Sequence, residues 1–180
     1  MFRTLVLVRH GDFDQSLGLS RLGRIQAARA GQRLRGLPVT KIYSSTMKRA
    51  HETALIVAKH HRGQTPVRAH LLRECVPGAP RGGPSSPEVR QWIRRSLDQA
   101  DRAYRRYFRP PATGRECEIL VCHGNVIRYL TARALGAKGW YGFGTSFCGI
   151  TVVRILRTGS AVVDRYNDTG HLSGLPGEFV

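Results

Sequence analysis

Twice in 180 residues the chain runs a short apolar stretch straight into a histidine and a glycine. The first is Leu5-Val6-Leu7-Val8-Arg9-His10-Gly11, the second Ile119-Leu120-Val121-Cys122-His123-Gly124. A short apolar run without alternation reads as a strand buried on both faces, the pattern of a parallel sheet covered by helices. In open α/β sheets, ligands bind outside the carboxyl ends of the strands, near the topological switch point. If the two strands are neighbours, His10 and His123 face one another across one pocket. The glycines let backbone approach a ligand, and Asn125 with the helix start that follows supplies N–H groups suited to an anion. A lone histidine at a strand end is often just a hydrogen-bonded boundary residue. Two such endings in one short chain, one of them beside an arginine, favour a shared site.

The intervening sequence alternates helical and strand patterns. Ser20 reads as an N-cap, with Leu22, Ile25, Ala28, Ala30 and Leu34 as an inward stripe ending near Gly36-Leu37-Pro38. Lys41–Tyr43 is a short strand. Ser45 or Thr46 then caps a helix to about His61, with Ala50, Ala54, Leu55 and Val57 facing inward and Gly63 as the stop. Val67–Leu71 is a weaker strand. Val76–Pro87, rich in proline and glycine, is a surface loop. Val89, Trp92, Ile93, Leu97, Ala100, Tyr104 and Tyr107 recur at helical spacing between Glu88 and Phe108. A helix follows His123 to about Leu135, and Thr151–Leu156 with Ala161–Arg165 form a hairpin around Thr158-Gly159-Ser160. The expectation is one domain over residues 1–180, without linker or second domain. Its architecture is a three-layer α/β/α fold with a mainly parallel central sheet and an antiparallel edge.

Charge narrows the partner. Lys and Arg number 29 against 12 Asp and Glu, a formal net charge of +17, and 25 of the 29 are arginine. Such a surplus attracts anions, whether nucleic acid, acidic membrane, phosphoprotein or phosphorylated metabolite, although it is equally compatible with genomic codon bias. No apolar run is long enough to span a bilayer, no signal peptide is apparent, and the four cysteines lack CxxC spacing. These features point to a reduced, soluble, cytoplasmic protein with neither cofactor nor metal.

Arg9-His10-Gly11 resembles the signature of the histidine phosphatase superfamily, the phosphoglycerate mutase-like family. Ser44-Ser45-Thr46-Met47-Lys48-Arg49-Ala50-His51-Glu52-Thr53-Ala54 resembles its second block, Leu71-Leu72-Arg73-Glu74 the block carrying the acid, and His123-Gly124 the last. Four blocks in order make a specific match. Leu71–Glu74, Cys122–Leu135 and Asp168-Thr169-Gly170 are most similar to the family's mitochondrial serine/threonine phosphatase branch, whose N-terminal anchor is expected to be absent here. The resemblance implies His10 as nucleophile, Arg9 and Arg49 as phosphate clamps, His123 as transition-state stabiliser and Glu74 as general acid/base. Gly124, Asn125 and Ser16 are further candidate phosphate contacts. The chemistry suits the residues, because planar guanidinium forks hold two phosphate oxygens and their charge keeps a nearby histidine neutral.

Glu52 competes with Glu74 as the carboxylate, but its spacing from Arg49 favours a local pair. Asp12 and Asp14 read as loop residues, Cys122 as core, and Asp168-Thr169-Gly170-His171 as a turn or a tail over the site. The implied activity is a metal-independent phosphomonoester hydrolase acting on phosphoprotein or small phosphometabolites. The short loop after Glu74 favours it over a mutase. A basic nucleic-acid module built on Glu88–Arg109 is the alternative of another class, disfavoured because its aromatics coincide with the apolar stripe. A homodimer is compatible with the sequence.

Overall fold

The computed structural model describes residues 1–76, 86–112 and 114–176. Its elements are β1 (Phe2–Arg9), α1 (Arg21–Leu34), β2 (Lys41–Ser45), α2 (Lys48–Ala58), β3 (Val67–Ala69), α3 (Pro87–Tyr107), β4 (Glu116–Cys122), α4 (Gly124–Ala134), β5 (Ile150–Leu156) and β6 (Ala161–Asp168). Short 3-10 turns cover His70–Leu72 and Gly170–Leu172. The six strands form one sheet in the order β3-β2-β4-β1-β5-β6. β3, β2, β4 and β1 pair parallel, while β5 pairs antiparallel with both β1 and β6.

Strand alternation sorts the core into two layers. Leu5, Leu7, Leu120 and Cys122 face α3 and α4, where Ala100, Ala103, Tyr107, Val126, Ile127 and Leu130 cover them. Val6, Val8, Ile119 and Val121 face α1 and α2, which contribute Leu34, Ala50, Ala54 and Val57. Both strand segments are buried on both faces, the arrangement expected of continuous apolar runs. β1 and β4 lie side by side in register, Arg9 opposite Cys122. The chain leaves β1 through a helix on one face and β4 through a helix on the other, so their carboxyl ends flank the switch point.

The local signals fare unevenly. Ser20 caps α1, its Oγ accepting from Gly23 N at 3.0 Å. The buried stripe of α1 is Gly23, Gln26, Ala27, Ala30, Gly31 and Leu34, so Ile25 is left exposed. The reason is backbone packing: a Cβ on Gly23 would lie 1.9 Å from the Asp12 carbonyl oxygen, and one on Gly11 2.5 Å from that of Gly23. Two glycines thus bring α1 down onto the Arg9-His10-Gly11 segment. Met47, not Ser45 or Thr46, occupies the N-cap of α2, without a side-chain bond, and the helix ends at Ala58 rather than near His61. Leu55, Val89, Trp92 and Leu97 are exposed, which narrows the apolar faces of α2 and α3. The weak strand stops at Ala69 and tightens into the turn at His70. Pro87 opens α3, and the rest of the predicted proline-rich loop over residues 77–85 lies outside the described residues.

Candidate active site

The carboxyl ends of β1 and β4 hold His10 and His123 with ring centroids 4.9 Å apart, both almost fully buried. Main-chain bonds fix this juxtaposition, because His10 N donates to Cys122 O at 3.0 Å. His10 Nδ1 lies 2.8 Å from Gly11 O, and a carbonyl only accepts, so the proton is on Nδ1 and the Nε2 lone pair is free. Arg49 Nε donates to that lone pair at 3.0 Å, and Arg49 Nη2 reaches His123 Nδ1 at 3.5 Å. Burial, with Arg49 and Arg9 adding to it, lowers the His10 pKa to about 3. Burial again, then His10 and the arginines, lowers His123 to about 2. Both imidazoles are neutral bases at physiological pH.

Two arginines and two phenylalanines surround them. Arg9 Nη1 donates to Thr145 O at 2.6 Å, and its guanidinium lies 4.0 Å over the Phe147 ring. Arg49 lies 4.6 Å over Phe13. Arg9 keeps a donor for an oxyanion: among the described residues its Nε is buried without a hydrogen-bond partner. Gly124 adjoins it, since a Cβ there would lie 3.7 Å from Arg9 Nε and 2.9 Å from Thr145 Oγ1. α4 starts at Gly124 with no side-chain cap, so the N–H groups of its first turn, Asn125 included, are open to an anion. The Asn125 side chain instead accepts from Arg128 Nη1 at 3.4 Å.

Glu74 sits at the rim. The residue as a whole is exposed, yet protein atoms crowd its carboxyl enough that desolvation raises its pKa, against the opposing pull of a hydrogen bond from Cys75 N, then Arg9 and Arg49. Glu52 turns elsewhere: it accepts from Leu19 N at 2.7 Å and pairs with Arg24 at 3.7 Å, not with Arg49. Asp12 accepts from Ser20 Oγ, and Asp14 from Ser16 N. Ser16 is not brought into the pocket; it lies in an exposed turn where its Oγ accepts from Gly18 N at 3.4 Å. Asp168 ends β6 and accepts from Gly170 N and Arg33, and the turn at Gly170–Leu172 packs Leu172 near α1.

Several partners were not singled out from sequence. Ser45 Oγ lies 2.8 Å from His123 Nε2, which explains why it does not cap α2. Thr53 Oγ1 accepts from Gly11 N at 3.1 Å and donates to Arg49 O, tying β1 to α2. Phe13 and Phe147 flank His10 at 5.4 and 5.6 Å. Ser45 and Thr53 fall inside the second motif block, so their positions carried a signal; Phe147 and Thr145 carried none. Among the described residues, no group of three or more His, Cys, Asp or Glu side chains is placed to hold a metal ion. All four cysteines are buried and free. A neutral imidazole whose unprotonated Nε2 is held by Arg49, between two arginines that both feel the Glu74 carboxyl, can accept a phosphoryl group once that arginine lets go.

Comparison with known proteins gives the family and the fold. The family model of the histidine phosphatase superfamily (branch 1) matches residues 5–118. The chain is 35% identical over 187 residues to the mitochondrial serine/threonine-protein phosphatase Pgam5 of Drosophila yakuba, covering 94% of this chain and 64% of that protein. The Pgam5 of Caenorhabditis briggsae is also 35% identical, with 95% and 65% covered. The chain thus spans just under two thirds of the curated relatives it matches. Among solved structures, a phosphoglycerate mutase from Plasmodium falciparum superposes with a TM-score of 0.69 at 28% identity, over 99% of this chain and 97% of that one.

Proposed function

Because this chain belongs to the histidine phosphatase superfamily, we propose that it hydrolyses phosphomonoesters through a phosphohistidine on His10. The observation that carries the reading is the His10 tautomer: Nδ1–H is spent on Gly11 O, and the Nε2 lone pair points at Arg49 Nε. A phosphate entering the pocket draws the Arg49 fork away from Nε2 onto its own oxygens and releases the nucleophile. Nε2 attacks phosphorus in line, the bond to the leaving oxygen breaks, and Glu74 gives that oxygen its proton. Water then attacks the phosphohistidine and returns a proton to Glu74; inorganic phosphate leaves and His10 is regenerated. Arg9, Arg49 and the start of α4 hold the equatorial oxygens. His123 adds a hydrogen bond from Nδ1–H when Ser45 O–H turns to donate to Nε2, so Ser45 selects the tautomer.

The relatives named as serine/threonine-protein phosphatases, and an acid at an exposed rim, support phosphoserine and phosphothreonine proteins as substrates, with small phosphometabolites as the alternative. The mutase among the similar structures supports a second reading, transfer to another phosphoglycerate hydroxyl instead of to water. The cytoplasm is the proposed setting, in keeping with four cysteines that form no disulfide, although the named relatives are mitochondrial. The test is turnover of p-nitrophenyl phosphate, with and without 3-phosphoglycerate as acceptor. Wild type is expected to release at least one inorganic phosphate per p-nitrophenolate in both cases and in excess EDTA, and His10→Ala to release none. Activity surviving His10→Ala, or requiring added divalent metal, contradicts the mechanism; loss of free phosphate to the acceptor favours the mutase.

A further inference from the structure

We propose that a groove between β3 and α3, separate from the catalytic pocket, docks an acidic, extended segment of a phosphoprotein substrate. The proposal rests on the phosphatase reading and names a substrate class for it. The groove encloses about 430 Å3 and is lined by Arg68 of β3 and by Arg95, Arg102 and Arg106 of α3. The three α3 residues, with Gln99, follow helical spacing and share one face. Among the described residues Asp98 is the single carboxylate in the lining, and it engages Arg102 at 3.8 Å. Among the described residues, Arg68, Arg95 and Arg106 have no salt bridge. Three cations from two elements therefore face one trough; the mostly buried Glu118 feels the charge of Arg106, and all three arginines are exposed.

The backbone beside them fits a polypeptide. Among the described residues β3 is the last strand of the sheet and pairs with β2 alone, which leaves its outer edge open to solvent-side partners, and Val67 is exposed. An open edge offers main-chain donors and acceptors to an added strand, while flanking side chains select its sequence. β3 runs parallel to β2, and through β2 and β4 to β1, so its carboxyl end lies at the same end of the sheet as His10. From there the chain passes through the turn at His70–Leu72 to Arg73 and Glu74. Gln99 Nε2 locks this link to α3, donating to Arg73 O at 2.7 Å and to Leu71 O at 3.4 Å. A peptide lying along the groove is thus directed toward the rim that carries the acid. A second copy of the chain is the poorer occupant, because it would set one arginine face against another.

The test measures binding and turnover separately. Binding of a fluorescent, unphosphorylated Glu-rich peptide is followed by anisotropy, beside a length-matched Ser/Ala peptide and a single-stranded oligonucleotide of equal charge. Turnover is measured on p-nitrophenyl phosphate and on phosphothreonine peptides with acidic or neutral flanks. Wild type is expected to prefer the acidic peptide, with the preference fading as salt rises. Arg68→Glu/Arg95→Glu should weaken acidic-peptide binding, and raise its KM, by about tenfold. Asp98→Lys should strengthen both, and p-nitrophenyl phosphate turnover should stay unchanged in both variants. Equal binding of acidic and neutral peptides, or unchanged binding by the charge-reversed variant, overturns the proposal. So does tighter binding of the oligonucleotide, or a change of oligomeric state with peptide affinity intact. Failure of the phosphatase reading shows separately, as absent p-nitrophenyl phosphate turnover in wild type, because the binding arm needs no catalysis.

Discussion

At the scale of single residues, two protonation states divide the labour. Burial and two arginines hold His10 neutral down to about pH 3, so the proposed nucleophile imposes no acid limb near neutrality. Glu74 is shifted the other way by desolvation and keeps its proton to higher pH than an ordinary glutamate. Hydrolysis of poor leaving groups should therefore decline as pH rises through the raised Glu74 pKa. Glu74→Gln should lose that limb and slow phosphoserine peptides by about a hundredfold or more, while p-nitrophenyl phosphate, whose leaving group departs without a proton, falls by less than about tenfold. Equal losses on both substrates, or the same selectivity from Glu52→Gln, contradict the assignment. His10, His123, Arg9, Arg49 and Glu74 could be singled out in the sequence because each sits in a motif with its own local pattern. Ser45 was read as a helix cap because a hydroxyl before a helix usually is one; its partner, His123, lies 78 residues away. The aromatic walls, Phe13 and Phe147, meet only through the fold.

At the scale of elements, the site depends on how closely α1 can approach the end of β1. Gly11 and Gly23 remove the side chains that would keep the two backbones apart. Gly23→Ala places a methyl group against main chain that cannot rotate away, so it should destabilise the protein by about 3 kcal/mol and lower activity as the Arg9-His10-Gly11 segment shifts. Thermal unfolding beside p-nitrophenyl phosphate kinetics checks this; an unchanged Tm would mean the contact is not tight. Strands β1 and β4 were legible because doubly buried strands read as continuous apolar runs. The helix faces were less so. Leu55 and Trp92 continue an apolar spacing in α2 and α3, yet both are exposed, because alanines such as Ala50, Ala54, Ala100 and Ala103 already fill the narrow contact with the sheet.

At the scale of the whole molecule, a net charge of +17 and two buried neutral histidines tie stability and function to pH and salt. Unfolded histidines take up protons below about pH 6.5, whereas His10 and His123 resist protonation in the folded state to about 3 and about 2. Their contribution is intact above pH 6.5 and is lost as pH falls through that window. Each should add up to about 1.4 kcal/mol per pH unit to the acid-side slope of unfolding free energy. His10→Gln should flatten this slope between pH 6 and pH 4 in denaturant titrations; an unchanged slope means the imidazole is not held neutral by burial. The central claim, however, is that the phosphoryl group rests on His10, and one measurement addresses it directly. The enzyme is mixed with 32P-labelled substrate, quenched in alkali within milliseconds, and the labelled peptide is sequenced. A base-stable, acid-labile label on His10, absent from His10→Ala, is the predicted result; turnover with no label on His10, or with the label on another residue, contradicts it.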